Sequence, residues 1–467
     1  MQVEEKLADF VTSLKYEDIP WDVIETTKKL LLDFAGLCYR GADVESSKAL
    51  IKFLKEIDAV EEFDTSKEKT KGVLAGTGLV GREEYSPLAN GCFAHSLELD
   101  DVVNEASIHP GVVVFPVALS VGERLGARGK EIIEASVAGY EVMIRVGKAV
   151  NPTEHYKRGF HPTGTCGTFA AAVVAAKLLG LKKKDLVSAL GISLSQAASS
   201  LEFLADGAWT KRFHPGWSAH SGILAAKLAA AGFKGPTGGI SGKYGFLSSY
   251  SDNARPELAI ENLEDDKVFM ILKTSIKPHA CCRYNQSPID AILQLVDEND
   301  IFPDKVEKVN VRIVGPGVQL VGDPIEIKKT PQNIVDAQFS LPYAAAIAII
   351  NRRAFLDDYK EELIFSENVR ELMKKVSCER DPELEKVFPR KWPCVVEIKT
   401  KDGVSYEKRI DYPKGDPENP LTMEELIQKF KSLTGKMESE YQDEFIEEVL
   451  NLERVSNINT ITGYLAK

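Results

Sequence analysis

The sequence predicts a mainly α-helical protein with an α+β part. Apolar residues recur at helical spacing through most of the first half of the chain, and long stretches there are rich in Ala and Gly. After about Asp265 the pattern changes, because short runs of alternating apolar and polar residues appear between further helices. A chain of 467 residues is too long for one ordinary core. We therefore expect a large helical domain and a smaller α/β domain.

Helical periodicity defines the large domain. Pro20 and Asp22 precede the first long helix and give it a capped start. Two later segments, residues 167–181 and 218–232, contain so many small residues that we expect them to be buried and tightly packed. The helices predicted in this part of the chain cover residues 23–39, 111–126, 130–150, 167–181, 184–200 and 218–232.

Strand patterns define the smaller domain. Residues 306–314 alternate between apolar and polar side chains, which predicts a strand. Residues 394–400 and 406–410 flank an Asp-Gly turn at Asp402, a combination that predicts a hairpin. Further helices are predicted at residues 337–351, 366–376, 422–433 and 438–452.

The predicted domain limits follow from these elements. A link rich in Pro and Gly, residues 413–420, separates the last two helices from the strands. We assign residues 1–267 and 413–467 to the large domain, and residues 268–412 to the smaller one. The alternative is that the last helices form a third, small domain.

Composition and charge exclude several classes of function. The net charge is −12, so a general affinity for nucleic acid or an anionic membrane is not expected, and an anionic substrate needs a local positive site. Seven scattered cysteines without a CxxC pair indicate reduced thiols. The start, MQVEEKLADFVTSL, does not resemble a secretory signal, and no apolar stretch is long enough to span a bilayer. We therefore expect a cytoplasmic protein.

The first candidate segment, residues 90–110, combines histidines with acids. Helical spacing would place His95, Glu98, Asp101 and Val102 on one face, where the acids can orient a histidine or bind a substrate hydroxyl. A polar helix cap without catalytic function is the alternative. A metal site made of His95, Asp100 or Asp101, and His109 is a further alternative, although this spacing matches no closed zinc pattern.

Two further segments combine histidine with features that bind anions. Residues 158–169, RGFHPTGTCGTF, predict a Gly/Thr-rich loop with His161 at its entrance, followed by a helix whose N-terminus attracts an anion. In residues 206–220, Lys211, Arg212 and His214 precede a helix, and a lysine can pair with a carboxylate or carry a proton. Close helix packing and a solvated basic turn are the respective alternatives.

The fourth segment, KPHACCRY, begins at Lys277. Lys277 and Arg283 bracket His279 and a pair of adjacent cysteines, Cys281 and Cys282. The Arg283 guanidinium suits bidentate binding of a carboxylate. The cysteine pair leaves open a metal or redox role, but no second pair lies near it in the sequence.

In this order, four segments resemble the MmgE/PrpD family: NGCFAHSLELDD…HP, GFHPTGTCGTFAAA, DGAWTKRFHPGWSAHSGILAAKLAAAGFKGP and KPHACCRYNQSPIDA. They span nearly the whole chain, and four ordered motifs are more specific than any one of them. The family includes 2-methylcitrate dehydratase, cis-aconitate decarboxylase and iminodisuccinate epimerase. The resemblance implies a large all-helical domain with a smaller α/β lid domain, a homodimer, and neither a metal nor an organic cofactor.

Carried over motif by motif, the resemblance points to site residues. It implies His109, His161 and Lys211 as catalytic residues, with Lys277 and Tyr343 as substrate-binding residues. The chemistry of the segments adds further candidates. We expect a catalytic role for Asp101 and substrate-binding roles for Glu98, Arg283 and His279.

Several positions depart from the pattern of the decarboxylases. An Asp is expected where Glu98 stands and a Thr where Val102 stands. A histidine expected late in the fourth motif aligns with Cys281 or Cys282, and the loop before His109 is one residue longer. These departures weaken the expectation of a decarboxylase.

The resemblance implies one shared chemical step. Removal of a proton from carbon beside a carboxylate, or loss of CO2 there, places negative charge on that carboxylate, so the enzyme needs a base and fixed positive charge. We predict a hydro-lyase that eliminates water from a small polycarboxylate, with an epimerase or a decarboxylase as the alternatives. A metal-dependent hydrolase or lyase and a non-catalytic helical scaffold are more distant alternatives.

Overall fold

The computed structural model describes residues 3–64, 72–263, 265 and 268–467. The chain forms two compact units. The first comprises Met1–Ser96, Asp100–Thr274 and Thr422–Lys467, and the second comprises Leu97–Leu99 and Ser275–Leu421. Lys267, the last residue of the first predicted domain segment, lies outside the described residues.

Helices build the first unit, and the mainly α character predicted from the sequence is confirmed. Their amphipathic or wholly apolar sequences bury one face or the whole surface in a common core. The helices of this unit include Val3–Ser13, Trp21–Gly41, Glu45–Glu56, Tyr85–His95, Gly111–Leu125, Gly129–Ala149, Pro152–Lys157, Pro162–Leu178, Lys183–Leu194, Thr210–Ala230, Phe246–Tyr250, Met423–Leu433, Ser439–Leu450 and Asn459–Leu465.

The first unit also contains a small antiparallel sheet. The unit is therefore mainly helical and not all-helical as expected. Its strands are Val60–Glu62, Gly72–Leu74 and Leu79–Gly81, with the last of them in the middle. The sequence analysis does not predict these strands. Three residues are too few to show the alternation that distinguishes a strand from other structure.

Small residues bring the central helices of the first unit close together. Helix Pro162–Leu178 packs against Gly129–Ala149 and Thr210–Ala230. A Cβ on Gly222 would lie 2.3 Å from the Ala171 Cβ, a distance that only glycine avoids. The predicted burial and tight packing of these Ala/Gly-rich segments is confirmed, since most of their residues are buried.

Two of these helices begin earlier than predicted. The Gly/Thr-rich stretch after His161 is helical and not a loop, because Pro162 fixes the backbone angle required at the first helical position. The helix predicted from residue 218 begins at Thr210, and Pro215 lies inside it. Lys211 and His214 are therefore part of a helix, where packing of its buried face offsets the hydrogen bond that proline removes.

The first segment is also arranged differently from the prediction. Its helix ends at His95, and Glu98 has a positive φ of 54°, which a right-handed helix does not allow. Val102 lies in a short strand, Val102–Val103. The predicted helical face shared by His95, Glu98, Asp101 and Val102 is therefore wrong.

The second unit combines a four-stranded mixed sheet with helices. In spatial order its strands are Val376–Arg380, Val306–Ile313, Cys394–Thr400 and Ser405–Ile410; the first pair is parallel and the others are antiparallel. The predicted strand at 306–314 and the predicted hairpin are confirmed. The helices include Gln286–Glu298, Ile325–Lys328, Ile334–Gln338, Leu341–Asn351, Glu361–Ile364, Glu367–Lys374 and Pro382–Glu385.

Helix Gln286–Glu298 covers the sheet of the second unit. It packs against the two hairpin strands and against helix Leu341–Asn351. The strand Val376–Arg380 is an addition to the prediction, which extended the preceding helix to residue 376. In the part of the chain that the structure describes, no helix combines the length and apolar character needed to cross a membrane.

Candidate active site

Four of the seven histidines gather inside the first unit. Each lies within, at the end of, or just before a helix. His95 ends helix Tyr85–His95, His109 precedes helix Gly111–Leu125, His161 caps helix Pro162–Leu178, and His214 lies in the second turn of helix Thr210–Ala230. We call these four residues the histidine cluster.

Asp100 connects two members of the histidine cluster. Its Oδ2 lies 2.7 Å from His95 Nδ1 and 3.1 Å from His109 Nδ1. His109 Nδ1 also lies 2.7 Å from the backbone oxygen of Asp101. A backbone carbonyl only accepts hydrogen bonds, so Nδ1 of His109 carries a proton. In the neutral imidazole the lone pair is therefore on Nε2, the nitrogen that can take a proton from a substrate.

Asp101 is buried and anchors the turn that carries His109. Its carboxyl accepts a hydrogen bond from the Tyr140 hydroxyl at 2.7 Å and from the Gly111 N–H at 3.0 Å. A Cβ on Gly111 would lie 2.9 Å from the Tyr140 oxygen, so the close approach requires glycine. Burial raises the pKa of the Asp101 carboxyl to about 7, although the Tyr140 hydrogen bond opposes this shift. In this structure the Asp101 carboxyl fixes the start of helix Gly111–Leu125, next to His109.

His161 and His214 form the other half of the histidine cluster. Their Nδ1 atoms are 3.1 Å apart. Burial lowers the pKa of His161 well below its usual value, and the neighbouring His95, His214 and Lys211 lower it further. Burial also lowers the pKa of His214 to about 3, with His95 and Lys211 as further causes. Both imidazoles are neutral at neutral pH.

Ring contacts connect the two halves. The His95 ring stacks on that of His161, with centroids 5.8 Å apart, and meets the His109 ring edge-on at 5.1 Å. His95 is fully buried, whereas 14% of the His109 side chain is exposed. The cluster is thus a continuous buried group that approaches solvent at His109. Such an arrangement suits proton transfer, because exclusion of water strengthens every charge interaction within it.

The structure places Lys211 near this cluster, which contains His109 and His161, the two other residues that the resemblance implies as catalytic. The Lys211 charge acts on both His161 and His214 and contributes to their lowered pKa values. Its side chain is partly exposed. An ammonium group beside neutral imidazoles provides the local positive charge that an anionic substrate needs in a protein of net charge −12.

Three of the residues considered for a metal site lie close together in the structure. Among the residues that the structure describes, His95, Asp100 and His109 each offer one ligand atom, and these atoms lie within 4.8 Å of one another. Asp101, the other acid considered for this site, bonds to Tyr140 and Gly111. The spacing also fits direct hydrogen bonds from the two histidines to Asp100, and a metal would have to displace those protons. Asp100 Oδ2 thus holds both histidines through their Nδ1 atoms, whereas the buried Nε2 of His95 has no hydrogen-bond partner within the described part of the chain.

The other predicted site residues belong to the second unit. Lys277 is buried and its Nζ donates to the backbone oxygen of Glu98 at 2.8 Å, so the two residues meet through the Glu98 backbone. His279 Nε2 lies 2.9 Å from Asp290 Oδ1. The Asp290 carboxylate also accepts a hydrogen bond from the Lys414 N–H. The His279 side chain therefore helps to fix the segment that follows the last strand.

Arg283 and Tyr343 also have partners within the second unit. The Arg283 guanidinium binds Asp416 and lies over the Trp392 ring, 5.1 Å from its centroid. The carboxylate that Arg283 binds here is thus one of the protein's own. The Tyr343 hydroxyl is buried and donates to the Asp358 backbone oxygen at 2.7 Å.

The adjacent cysteines show no sign of redox activation. Burial raises the pKa of the Cys281 thiol to about 12, so it is not a thiolate at neutral pH. Both Cys281 and Cys282 are buried, and all seven cysteines of the chain are free thiols. The raised pKa therefore disfavours a role of Cys281 as a redox-active or metal-binding thiolate.

Two residues in and beside the histidine cluster, His214 and Tyr140, give little or no signal in the sequence. His214 stands out only as part of a basic segment, and its helical spacing of three residues from Lys211 would have placed both on one face. Tyr140 gives no signal at all, because it lies in the middle of a long helix among apolar residues. Only the packed structure brings its hydroxyl to Asp101.

The comparison with known families covers most of the chain. Residues 5–259 match the model of the MmgE/PrpD N-terminal domain, and residues 279–454 match that of the MmgE/PrpD C-terminal domain. Curated relatives are similar over nearly their whole length. A cis-aconitate decarboxylase of Aspergillus terreus is 26% identical over 489 aligned residues, which cover 99% of this chain and 96% of the relative.

Mammalian relatives give the same result. The cis-aconitate decarboxylase of Mus musculus is 27% identical, with 93% of this chain and 87% of the relative covered. That of Homo sapiens is 26% identical, with 99% of this chain and 94% of the relative covered. These matches make this chain a relative of lyases. With both domain models matched in order, the chain belongs to the MmgE/PrpD family.

Proposed function

We propose that this protein is a lyase that removes a proton from the carbon beside a carboxylate of a small polycarboxylate and then eliminates water. The histidine cluster carries this proposal. It combines a histidine whose lone pair is fixed on Nε2, two further neutral imidazoles and a nearby ammonium group in a buried site. These are the groups that carbanion formation beside a carboxylate requires.

His109 is the proposed base. Its Nδ1 donates to the Asp101 backbone oxygen, and Asp100 lies on the same nitrogen. An acceptor on Nδ1 makes the opposite nitrogen more basic and stabilises the imidazolium formed after proton transfer. His109 is also the most exposed member of the histidine cluster, which suits direct contact with a substrate.

Lys211 and His161 are the proposed partners for the developing negative charge. The charge of Lys211 remains fixed during the reaction, whereas the neutral His161 can donate a hydrogen bond. We retain substrate-binding roles as proposals for five residues of the second unit, namely Glu98, Lys277, Arg283, Tyr343 and His279. For Arg283 this role requires a substrate carboxylate to compete with Asp416.

Decarboxylation is the second candidate function. The names of the similar curated proteins favour it, since all of those given above are cis-aconitate decarboxylases. The departures at Glu98, Val102 and the Cys281–Cys282 pair weigh against it, because these positions differ from the decarboxylase pattern. Both reactions place negative charge beside a carboxylate, so the same cluster can serve either. An epimerase, which returns the proton to the opposite face, is the third variant.

Product analysis distinguishes these functions. Chelator-treated protein would be incubated with 2-methylcitrate, citrate, cis-aconitate or iminodisuccinate, and the products identified by NMR. Loss of water with formation of an alkene supports the proposed hydro-lyase. Release of CO2 from cis-aconitate identifies the decarboxylase instead, and inversion without loss of mass identifies the epimerase.

The same experiment tests the metal-dependent alternative. The proposal predicts full turnover after chelator treatment, with no gain on addition of Zn2+, Mn2+ or Fe2+. Activity that disappears with chelator and returns with one metal would instead support a metal bound by His95, Asp100 and His109, the set that lies close enough together. No turnover with any substrate, in protein shown to be folded, would contradict the proposed function for this substrate panel.

We also propose a cytoplasmic homodimer. The resemblance to the family implies the dimer, and seven free cysteines fit a reducing compartment. Sedimentation velocity of the purified protein tests the dimer, which predicts a particle of twice the chain mass. Fractionation of the source cells tests the compartment.

A further inference from the structure

In the contact between His161 and His214, the shared hydrogen can belong to Nδ1 of either ring. The two Nδ1 atoms are 3.1 Å apart, a normal hydrogen-bond distance. A neutral imidazole has one donor and one acceptor nitrogen, so one Nδ1 must carry the proton and the other must accept it. Whichever arrangement holds, it also determines the state of Nε2 on His161. The role of His161 in a reaction therefore depends on His214.

His214 is held in place independently of a substrate. Its backbone oxygen accepts a hydrogen bond from the Ser218 hydroxyl at 2.9 Å, and that hydroxyl also lies 2.6 Å from the Gly164 oxygen in the helix that follows His161. The Phe203 ring meets both imidazoles edge-on, with centroids 6.3 Å from His161 and 5.9 Å from His214. Two helices and an aromatic ring thus fix the pair.

We propose that His214 is a positioning residue that donates from Nδ1 to Nδ1 of His161 and so holds His161 with its hydrogen on Nε2. This inference rests on the proposed function. In this tautomer His161 is a neutral hydrogen-bond donor toward the substrate carboxylate and not a base. It would stabilise the negative charge that forms when His109 removes the proton.

The different roles proposed for His109 and His161 favour a hydrogen bond that His214 donates and His161 accepts. His109 already presents a lone pair on Nε2, because its Nδ1 faces the Asp101 carbonyl. A second base would not stabilise the carbanion. A hydrogen-bond donor directed at the substrate carboxylate would stabilise it. Neutral imidazoles serve as such donors in other enzymes when their pKa is lowered. The charged or titratable groups that act on His161 are His95, His214, Lys211 and His109, and all of them disfavour its cationic form.

Nitrogen NMR of the wild-type protein tests the tautomer directly. Protein labelled with 15N-histidine has seven side chains to resolve, and a His161→Gln variant assigns the one of interest. The proposal predicts that, without substrate near pH 7, Nε2 of His161 carries hydrogen and Nδ1 does not. A protonated Nδ1 on His161, or a cationic ring, would overturn it.

A matched pair of variants tests the consequence for the reaction. In His214→Asn, the side-chain amide nitrogen stands near the position of Nδ1 and can still donate. In His214→Asp, the ionised carboxylate can only accept, so the hydrogen of His161 is drawn to Nδ1 and Nε2 loses its donor. We expect His214→Asn to keep most of kcat and His214→Asp to lose roughly 10²–10³-fold, the usual effect of removing one such donor.

The dependence of kcat on pH distinguishes a positioning role of His214 from a purely structural one. A carboxylate beside His161 raises the pKa of its imidazole, so His214→Asp should show a new titration in kcat at a higher pH than the wild type. Equal kcat in the two variants would overturn the proposal. The NMR result does not depend on turnover. A correct tautomer without activity on any substrate would contradict the proposed function alone.

Discussion

At the scale of single residues, the account depends most on His109. Its imidazole is the proposed base, and glutamine at this position can form hydrogen bonds but cannot accept a proton near neutral pH. We expect His109→Gln to lower kcat by about 10²–10⁴-fold, the usual contribution of a general base. Steady-state kinetics on the substrate identified by product analysis measures this effect.

His220 provides a matched control for that substitution. It lies outside the histidine cluster, where its Nδ1 bonds to the Glu84 backbone oxygen and its ring stacks on Trp217. His220→Gln should retain the wild-type kcat, because the substitution leaves every residue of the histidine cluster in place. If His109→Gln and His220→Gln have the same kcat, the assignment of the base is wrong.

Asp101 should make folding stability depend on pH. Its pKa rises from 3.8 in an unfolded chain to about 7 in the folded protein, mainly through burial. The folded state therefore binds more protons than the unfolded state between these values. The stabilisation is complete below pH 3.8 and is lost as the pH rises toward 7. Above pH 7 the buried charge lowers the free energy of unfolding by up to a few kcal/mol.

Asp101→Asn removes this titration and keeps an amide oxygen that can accept from Tyr140 and Gly111. We expect urea unfolding at pH 5.5 and 8.5 to show a smaller loss of stability in the variant than in the wild type. The variant should be the more stable protein at pH 8.5. An identical pH dependence in both proteins would show that Asp101 is ionised throughout this range.

At the scale of secondary-structure elements, the sequence predicts periodic segments better than their ends. The strand Val306–Ile313 and the hairpin of Cys394–Thr400 and Ser405–Ile410 agree with prediction, because alternation and an Asp-Gly turn are local signals. The start of helix Thr210–Ala230 does not, because the proline at position 215 is a local breaking signal that tertiary packing overrides. Helix Pro162–Leu178 also begins earlier than predicted. The first turns of these two helices lie beside or contain His161 and His214, so the errors in the predicted helix starts affect the site directly.

Close packing between helices gives a prediction at the same scale. Gly222→Ala adds a Cβ that would lie 2.3 Å from the Ala171 Cβ, so the two helices must separate. Overpacking of this kind lowers the free energy of unfolding by about 1–3 kcal/mol, which exceeds the gain of up to about 1 kcal/mol from the better helix propensity of alanine.

Urea unfolding of Gly222→Ala should therefore show a net loss of stability. Leu224→Ala is the control on the same helix, because this side chain is exposed and its loss should change stability by no more than about 0.5 kcal/mol. A Gly222→Ala protein that is as stable as the wild type would show that the two helices can adjust without penalty.

For the whole molecule, membership of the MmgE/PrpD family and the mainly α fold could be predicted from the sequence. The matches to both domain models confirm the family. The helical first unit and the mixed sheet of the second unit confirm the fold class. The resemblance to the family implies one site for His109 and His161. Periodicity and spacing do not bring His95 and His214 to that site, because the four residues lie in separate segments that approach one another only after packing.

The net charge of −12 affects how the whole molecule attracts or repels a substrate. A polycarboxylate is repelled by the protein as a whole, so binding requires a local group such as Lys211. Neutral histidines around that lysine avoid further burial of charge while they remain available for proton transfer. An acidic protein can thus offer an anion a local positive site.

Proton removal from the carbon beside a carboxylate can be followed with substrate that carries deuterium at that carbon. Chelator-treated wild-type, His109→Gln and His220→Gln proteins would be incubated in ordinary water with the deuterated form of the substrate found by product analysis, and observed by proton and deuterium NMR. We expect the wild type and His220→Gln to release deuterium from that carbon into water as product forms, and His109→Gln to release little. Turnover by the wild type with all of the deuterium retained at that carbon would show that no proton is removed there.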